Sequence, residues 1–142
     1  MSTNHIFRKS IHYALAFTCA LSSSLVFAQI PATQYSEGIA FISGGVGEGE
    51  SEAILAEAKQ WPLLLELSQL ENGRGVWIFG AQIQIEDAKQ KPIFKGLAAG
   101  PYMLINLKPG EYSIQAKYQG TLQTKAVQIA PDRSKKLSIF WK

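Results

Sequence analysis

From Leu63 to the C-terminus, apolar side chains recur at every second position, and turn residues interrupt them at close, regular intervals. Leu63, Leu65 and Leu67 share one face, and "ENGRG" at Glu71–Gly75 turns the chain. Trp77, Phe79, Ala81, Ile83 and Ile85 form the next apolar side, with Gln82, Gln84 and Glu86 opposite. "PIFKGLA" starts near Pro92, which has no N–H for a ladder, so this strand belongs at an edge. Met103, Ile105 and Leu107 follow, then the Pro109–Gly110 turn, then Tyr112, Ile114, Ala116 and Tyr118. After "QG", Leu122, Thr124 and Ala126 keep one phase while Val127 and Ile129 take the other, which predicts a bulge near Ala126. Leu137, Ile139 and Trp141 end the chain. Short strands with turns and no intervening helix predict a mostly β fold, a seven-stranded antiparallel β-sandwich.

Upstream the period changes. "GIAFISGG", Gly38–Gly45, is a short strand with a glycine turn, preceded by a polar lead-in. Ile54, Leu55, Ala58 and Trp61 fall on one face of a helix, with Glu57, Lys59 and Gln60 away from it. Pro62 stops that helix. The expected layout is a signal peptide at 1–28, a lead-in at 29–47, an amphipathic helix at 48–61 and a sandwich at 62–142. The helix lays its apolar face on the sandwich, with Leu55 buried between them.

The first residues point to export. Arg8 and Lys9 precede an apolar run from Ile11 to Ala20, then "SSSLVFA", with Val26 and Ala28 suited to cleavage after Ala28. The run is short for a membrane anchor, and the residues before Cys19 do not suit lipidation. The expected location is the periplasm. Both histidines, His5 and His12, and the single cysteine, Cys19, lie in this segment. From Gln29 onward the chain therefore lacks the commonest general base, the commonest metal ligand and the thiol nucleophile. Of 14 basic residues, Arg8 and Lys9 also fall there, so the remainder nearly balances the 11 acids. A high pI is then no sign of nucleic acid, and no such partner is expected.

"SGGVGEGESE", Ser43–Glu52, looks like a phosphate-binding turn before a helix. It lacks the Lys that follows the last glycine of a phosphate loop, and it misses the dinucleotide spacing. Glu48, Glu50 and Glu52 would repel an anion and suit the positive end of a helix. They also offer oxygens to calcium, but not in the spacing of a calcium loop. Glu86–Asp87 lies in a turn, where Asp serves turn formation. Among the aromatics, Trp77 and Trp141 fall in phase with the core, whereas Tyr102 and Phe140 do not. Together with Phe79 these five could form a sugar-stacking platform.

"GPYMLINLKPGEYSIQAKYQGTLQTKAVQIA", Gly100–Ala130, resembles the carboxypeptidase regulatory-like domain through Leu107, Pro109, Gly110 and Tyr112. "AQIQIEDAKQKPIF" resembles that family's earlier hairpin. The resemblance covers Leu63 to Trp141 and implies a seven-stranded, transthyretin-like sandwich. The front segment, Ser43–Trp61, is similar to that of small secreted bacterial proteins with no assigned activity. Histidine-dependent relatives with this fold hydrolyse a purine-derived ring or act as iron dioxygenases, and the residues from Gln29 onward lack their histidines. The expectation is a non-enzymatic periplasmic protein with no cofactor, acting by binding or assembly with another protein. The alternative is a glycan-binding module of the cell envelope. Glu48, Glu50, Glu52, Tyr102 and Phe140 are the candidate contacts.

Overall fold

The computed structural model describes residues 29–142; the expected signal peptide lies outside the described residues. The strands are β1 (Gln34–Ser36), β2 (Ile39–Gly44), β3 (Leu63–Glu71), β4 (Arg74–Trp77), β5 (Gln82–Glu86), β6 (Pro92–Leu97), β7 (Tyr102–Ile105), β8 (Gly110–Tyr118), β9 (Thr121–Ile129) and β10 (Lys135–Trp141). Helix α1 (Glu50–Glu57) continues as a 3-10 turn, Ala58–Gln60. One sheet runs β1-β2-β7-β3-β10, with β4 also on β3; the other runs β6-β5-β8-β9. The described residues are thus mostly β, with two sheets and one short helix. No helix among the described residues is long and apolar enough to cross a membrane.

Strand β3 organises the larger sheet. β10 lies parallel along one side, from Lys135↔Leu63 to Trp141↔Gln69. The other side is shared: Leu63–Glu66 pair with β7 and Ser68–Glu71 with β4. Between these two stretches the Leu67 amide donates to the Pro101 carbonyl at 2.8 Å. Leu63, Leu65 and Leu67 point inward to Ile83, Ile85, Phe94, Met103, Ile114 and Ile139 in the main core. Across the sandwich Phe41 meets Phe94 edge-on at 5.2 Å.

The outer face of this sheet carries a second core. Ile42, Leu64, Tyr102 and Leu104 pack with Ile54 and Ala58 of the helix segment. β7 and the first half of β3 are therefore buried on both faces, which is why "LLL" and "YMLI" read as continuous apolar runs. The helix end is fixed at the Ala58 carbonyl, which accepts from the Trp61 amide at 3.1 Å and from the Ser134 hydroxyl at 2.9 Å.

Stitches close the two open sides. At one, the Ser36 hydroxyl donates to the Lys95 carbonyl at 2.6 Å and accepts from the Lys95 amide at 3.1 Å. At the other, Trp141 Nε1 donates to the Thr121 carbonyl at 3.0 Å. The Trp141 ring lies 5.6 Å from that of Tyr118.

The structure corrects several expectations. The described residues form ten strands, not seven. The lead-in supplies β1, joined to β2 by a two-residue turn in which Glu37 and Gly38 both have positive φ. Such turns match the twist of paired strands. Asn72-Gly73 and Gln119-Gly120 repeat the device. The run from Trp77 to Ile85 is not one strand: it breaks at Gly80, whose φ of 86° takes it out of extended backbone. No bulge occurs near Ala126, because β8 and β9 keep one register from Gly110↔Ile129 to Tyr118↔Thr121. The phase change arises because β9 is an edge strand: Val127 and Ile129 enter the core, while Leu122 faces solvent on the outside. The helix face also differs. Its buried stripe is Ser51, Ile54 and Ala58, and Leu55 is 40% exposed. One residue of helix is about 100° of rotation, enough to carry Leu55 off an eight-residue contact.

Ile54 is fully buried, so Ile54→Ala should cost about 2–5 kcal/mol in urea unfolding through lost transfer energy and a cavity. Leu55→Ala should cost less than about 1 kcal/mol, as surface changes do. Equal losses would mean that the helix docks through a different face.

Candidate functional site

The glycine-rich turn is built around one carboxylate. Glu50 Oε1 accepts from the Gly45 amide at 2.8 Å, and the Ser51 hydroxyl donates to the Gly45 carbonyl at 2.7 Å. Both polar groups of Gly45 are thus held by the first turn of α1. The glycines make room for this. A Cβ on Gly44 would strike the Glu50 carboxylate, and one on Gly47 would lie 2.7 Å from Glu50 Oε2. Gly45 has a φ of 103°, and a Cβ there would lie 2.7 Å from Tyr102 Cδ2. Left-handed backbone of this kind favours glycine.

Glu48 and Glu52 are exposed, while Glu50 is half-buried. The three glutamates expected to act together are therefore divided: Glu50 binds backbone, and the other two face water near the helix start. Among the described residues no group of three or more His, Cys, Asp or Glu side chains converges as a metal cage. Asp87 Oδ1 accepts from the amides of Lys89 and Lys91 at 2.9 and 3.0 Å, organising its turn. Glu86 Oε1 accepts weakly from Gln115 Nε2 at 3.5 Å.

The aromatic residues gather elsewhere, where the register of β10, β3, β7 and β4 places them. Phe140, Ser68 and Trp77 form one row on the outer face of the larger sheet. Ser138, Glu66 and Tyr102 form the next. Phe140 and Trp77 therefore flank Ser68 at two strand spacings, about 10 Å. Trp77 is 58% exposed and Phe140 47%. Leu70 and Val76 of the same hairpin are exposed as well, and every residue of β4 is exposed.

Polar groups border this apolar end. Lys136 Nζ lies 2.8 Å from Glu66 Oε2. The hydrogen bond and the charge of Glu66 raise the Lys136 pKa above the ordinary lysine value. Tyr102 is 4% exposed and packs under the helix. Its pKa is raised, first by burial and then by the charge of Glu66. The Trp77 and Tyr102 rings meet edge-to-face, with centroids 5.9 Å apart at 64°.

Three aromatic assignments thus change. Trp77 and Phe79 were expected in the core and are exposed; Ile78 goes inward instead, while Ala81 is buried as expected. Tyr102 was expected outside the core and is buried in the second one. Trp141 is buried and Phe140 exposed, as the alternation predicts. The dipeptide Asn72-Gly73 held the missing signal. A two-residue hairpin there pairs Leu70 with Gly75 and Ser68 with Trp77, placing Trp77 on the polar face of β3. No protein-family model matches the chain, and no curated protein matches it.

Glu50→Ala should cost about 1–3 kcal/mol, because the partly buried Gly45 amide loses its acceptor. Glu48→Ala and Glu52→Ala should each stay within about 0.5 kcal/mol. Millimolar calcium should leave the Tm of all of them unchanged in a thermal-shift assay. A rise with the parent protein that disappears in the variants would make the cluster a cation site, since a ligand of the folded state stabilises it by mass action.

Proposed function

We propose that the chain is an exported, periplasmic, non-enzymatic sandwich protein that works by docking a second protein. Its docking surface is the apolar end formed by Leu70, Trp77 and Phe140. The observation that carries this is the outer face at this end, where exposed Trp77 and Phe140 flank Ser68 and exposed Leu70 lies on the same side. Large apolar side chains grouped in solvent cost solubility and mark interaction sites, and tryptophan is enriched among the residues that dominate interface energies. The Lys136–Glu66 pair and the Glu71↔Arg74 pair of strand positions give this end the polar rim typical of an interface.

Export is supported by Arg8, Lys9 and the apolar run that follows them. The absence of His and Cys from Gln29 onward supports a role without catalysis. The transthyretin-like, carboxypeptidase regulatory-like assignment belongs to the same proposal. It is supported by the Pro109–Gly110 turn into β8. It is also supported by the seven strands that remain when β1, β2 and β4 are set aside, three facing four.

A cell-envelope glycan is the second reading. Trp77 stands open beside Glu66, Lys136 and Ser138, groups able to bind sugar hydroxyls. The 64° angle between Trp77 and Tyr102 weakens it, because a flat sugar needs rings in a common plane.

Photo-crosslinking in living cells separates the two. A crosslinker at position 77 or 140 should give a discrete protein adduct, and one at Leu122, on the other sheet, should not. Trp77→Ala should then weaken the isolated complex about tenfold or more, the loss typical of a buried anchor. Binding to purified cell-wall glycan, with no protein adduct at either position, would replace the docking proposal by the glycan one.

A further inference from the structure

Building on the export proposal, we infer that the mature protein has no free amino group at its start: Gln29, released by cleavage after Ala28, closes into a pyroglutamate lactam. Three observations around the N-terminus support this. The segment just after Gln29 is part of the fold. Ile30 packs against the second core, and Pro31 lies so close to β2 that a Cβ on Gly44 would come within 2.8 Å of its Cγ. Gln29 itself is exposed, and among the described residues no hydrogen bond engages its side-chain amide. Its amide is therefore free to fold back on its own amine while the next residues stay anchored.

The chemistry closes without a co-reactant. An α-amine with an ordinary pKa of about 8 is in part unprotonated at neutral pH. Its nitrogen attacks Cδ of the same residue and forms the ring C–N bond. The Cδ–Nε2 bond breaks, the amine proton passes to the leaving nitrogen, and ammonia departs. Nothing is oxidised or reduced. Attack within one side chain avoids the entropic cost of bringing two molecules together. Before cleavage the same nitrogen is an amide and cannot react, so the ring records that export has been completed. It also denies aminopeptidases the end of the strap that holds Ile30 on the helix.

The full chain should be expressed with its own leader, recovered from the periplasm and weighed intact. The expected mass is that of Gln29–Lys142 less one ammonia, with resistance to aminopeptidase that pyroglutamyl peptidase removes. Gln29→Ala should give an unmodified mass and be trimmed. The unaltered mass of Gln29–Lys142 after prolonged incubation at neutral pH would overturn the lactam and leave export standing. A full-length mass, or a start at another residue, would overturn the export proposal and the lactam with it.

Discussion

The constraint on which the structure depends is the burial of β3 on both faces and along both edges. Leu63, Leu65 and Leu67 fill the main core; Leu64 fills the second. Three strands hydrogen-bond to its backbone. A residue here has no direction in which to relax, so its size and polarity are fixed by neighbours on every side. The strand's second half escapes this confinement. Beyond Leu67 no helix covers the outer face, and β4 replaces β7 as partner. The same strand therefore anchors the molecule at one end and presents its apolar surface at the other.

The helix start depends on the same arrangement. Tyr102, paired with Glu66 of β3, lies against Gly45 and requires a residue without a side chain there. Gly45 then offers its amide to Glu50, and Ser51 holds its carbonyl. The acidic first turn is thus positioned by a tyrosine on the neighbouring strand, where Tyr102 pairs with Gly44. The polar contacts of Glu50 and Ser51 are internal ones, while Glu48 and Glu52 face water.

Alternation along the chain foretold the strands that have one dry and one wet face. Ile83 and Ile85 of β5, Ile114 and Ala116 of β8, and Ile139 and Trp141 of β10 all go inward as expected. Alternation fails where that premise fails. Leu64, Tyr102 and Leu104 are out of phase because a helix dries the second face, and no local pattern says where a helix lands. Trp77 and Phe79 are misplaced because Gly80 ends the regular period, so a residue's parity no longer tells its side. Within the candidate contacts, charge and spacing foretold that Glu50 and Glu52 stand in the first turn of the helix, though Glu48 falls before it. The singling out of Glu50 was not legible, because it depends on how far Gly45 lies from the helix axis. The apolar end was hidden for a different reason: Leu70, Trp77 and Phe140 come from three strands and share nothing in the sequence.

The parallel pairing of β10 with β3 sets the order in which the molecule can be completed. Its first bridge joins Lys135 to Leu63, and between them lies nearly the whole sandwich. Contacts of such long range are entropically costly to form and slow the search for the native state. A chain threaded through a pore amino end first would therefore pass with its main core still open, because Ile139 and Trp141 arrive last. The topology itself thus keeps the main core incomplete until the last strand is laid along β3.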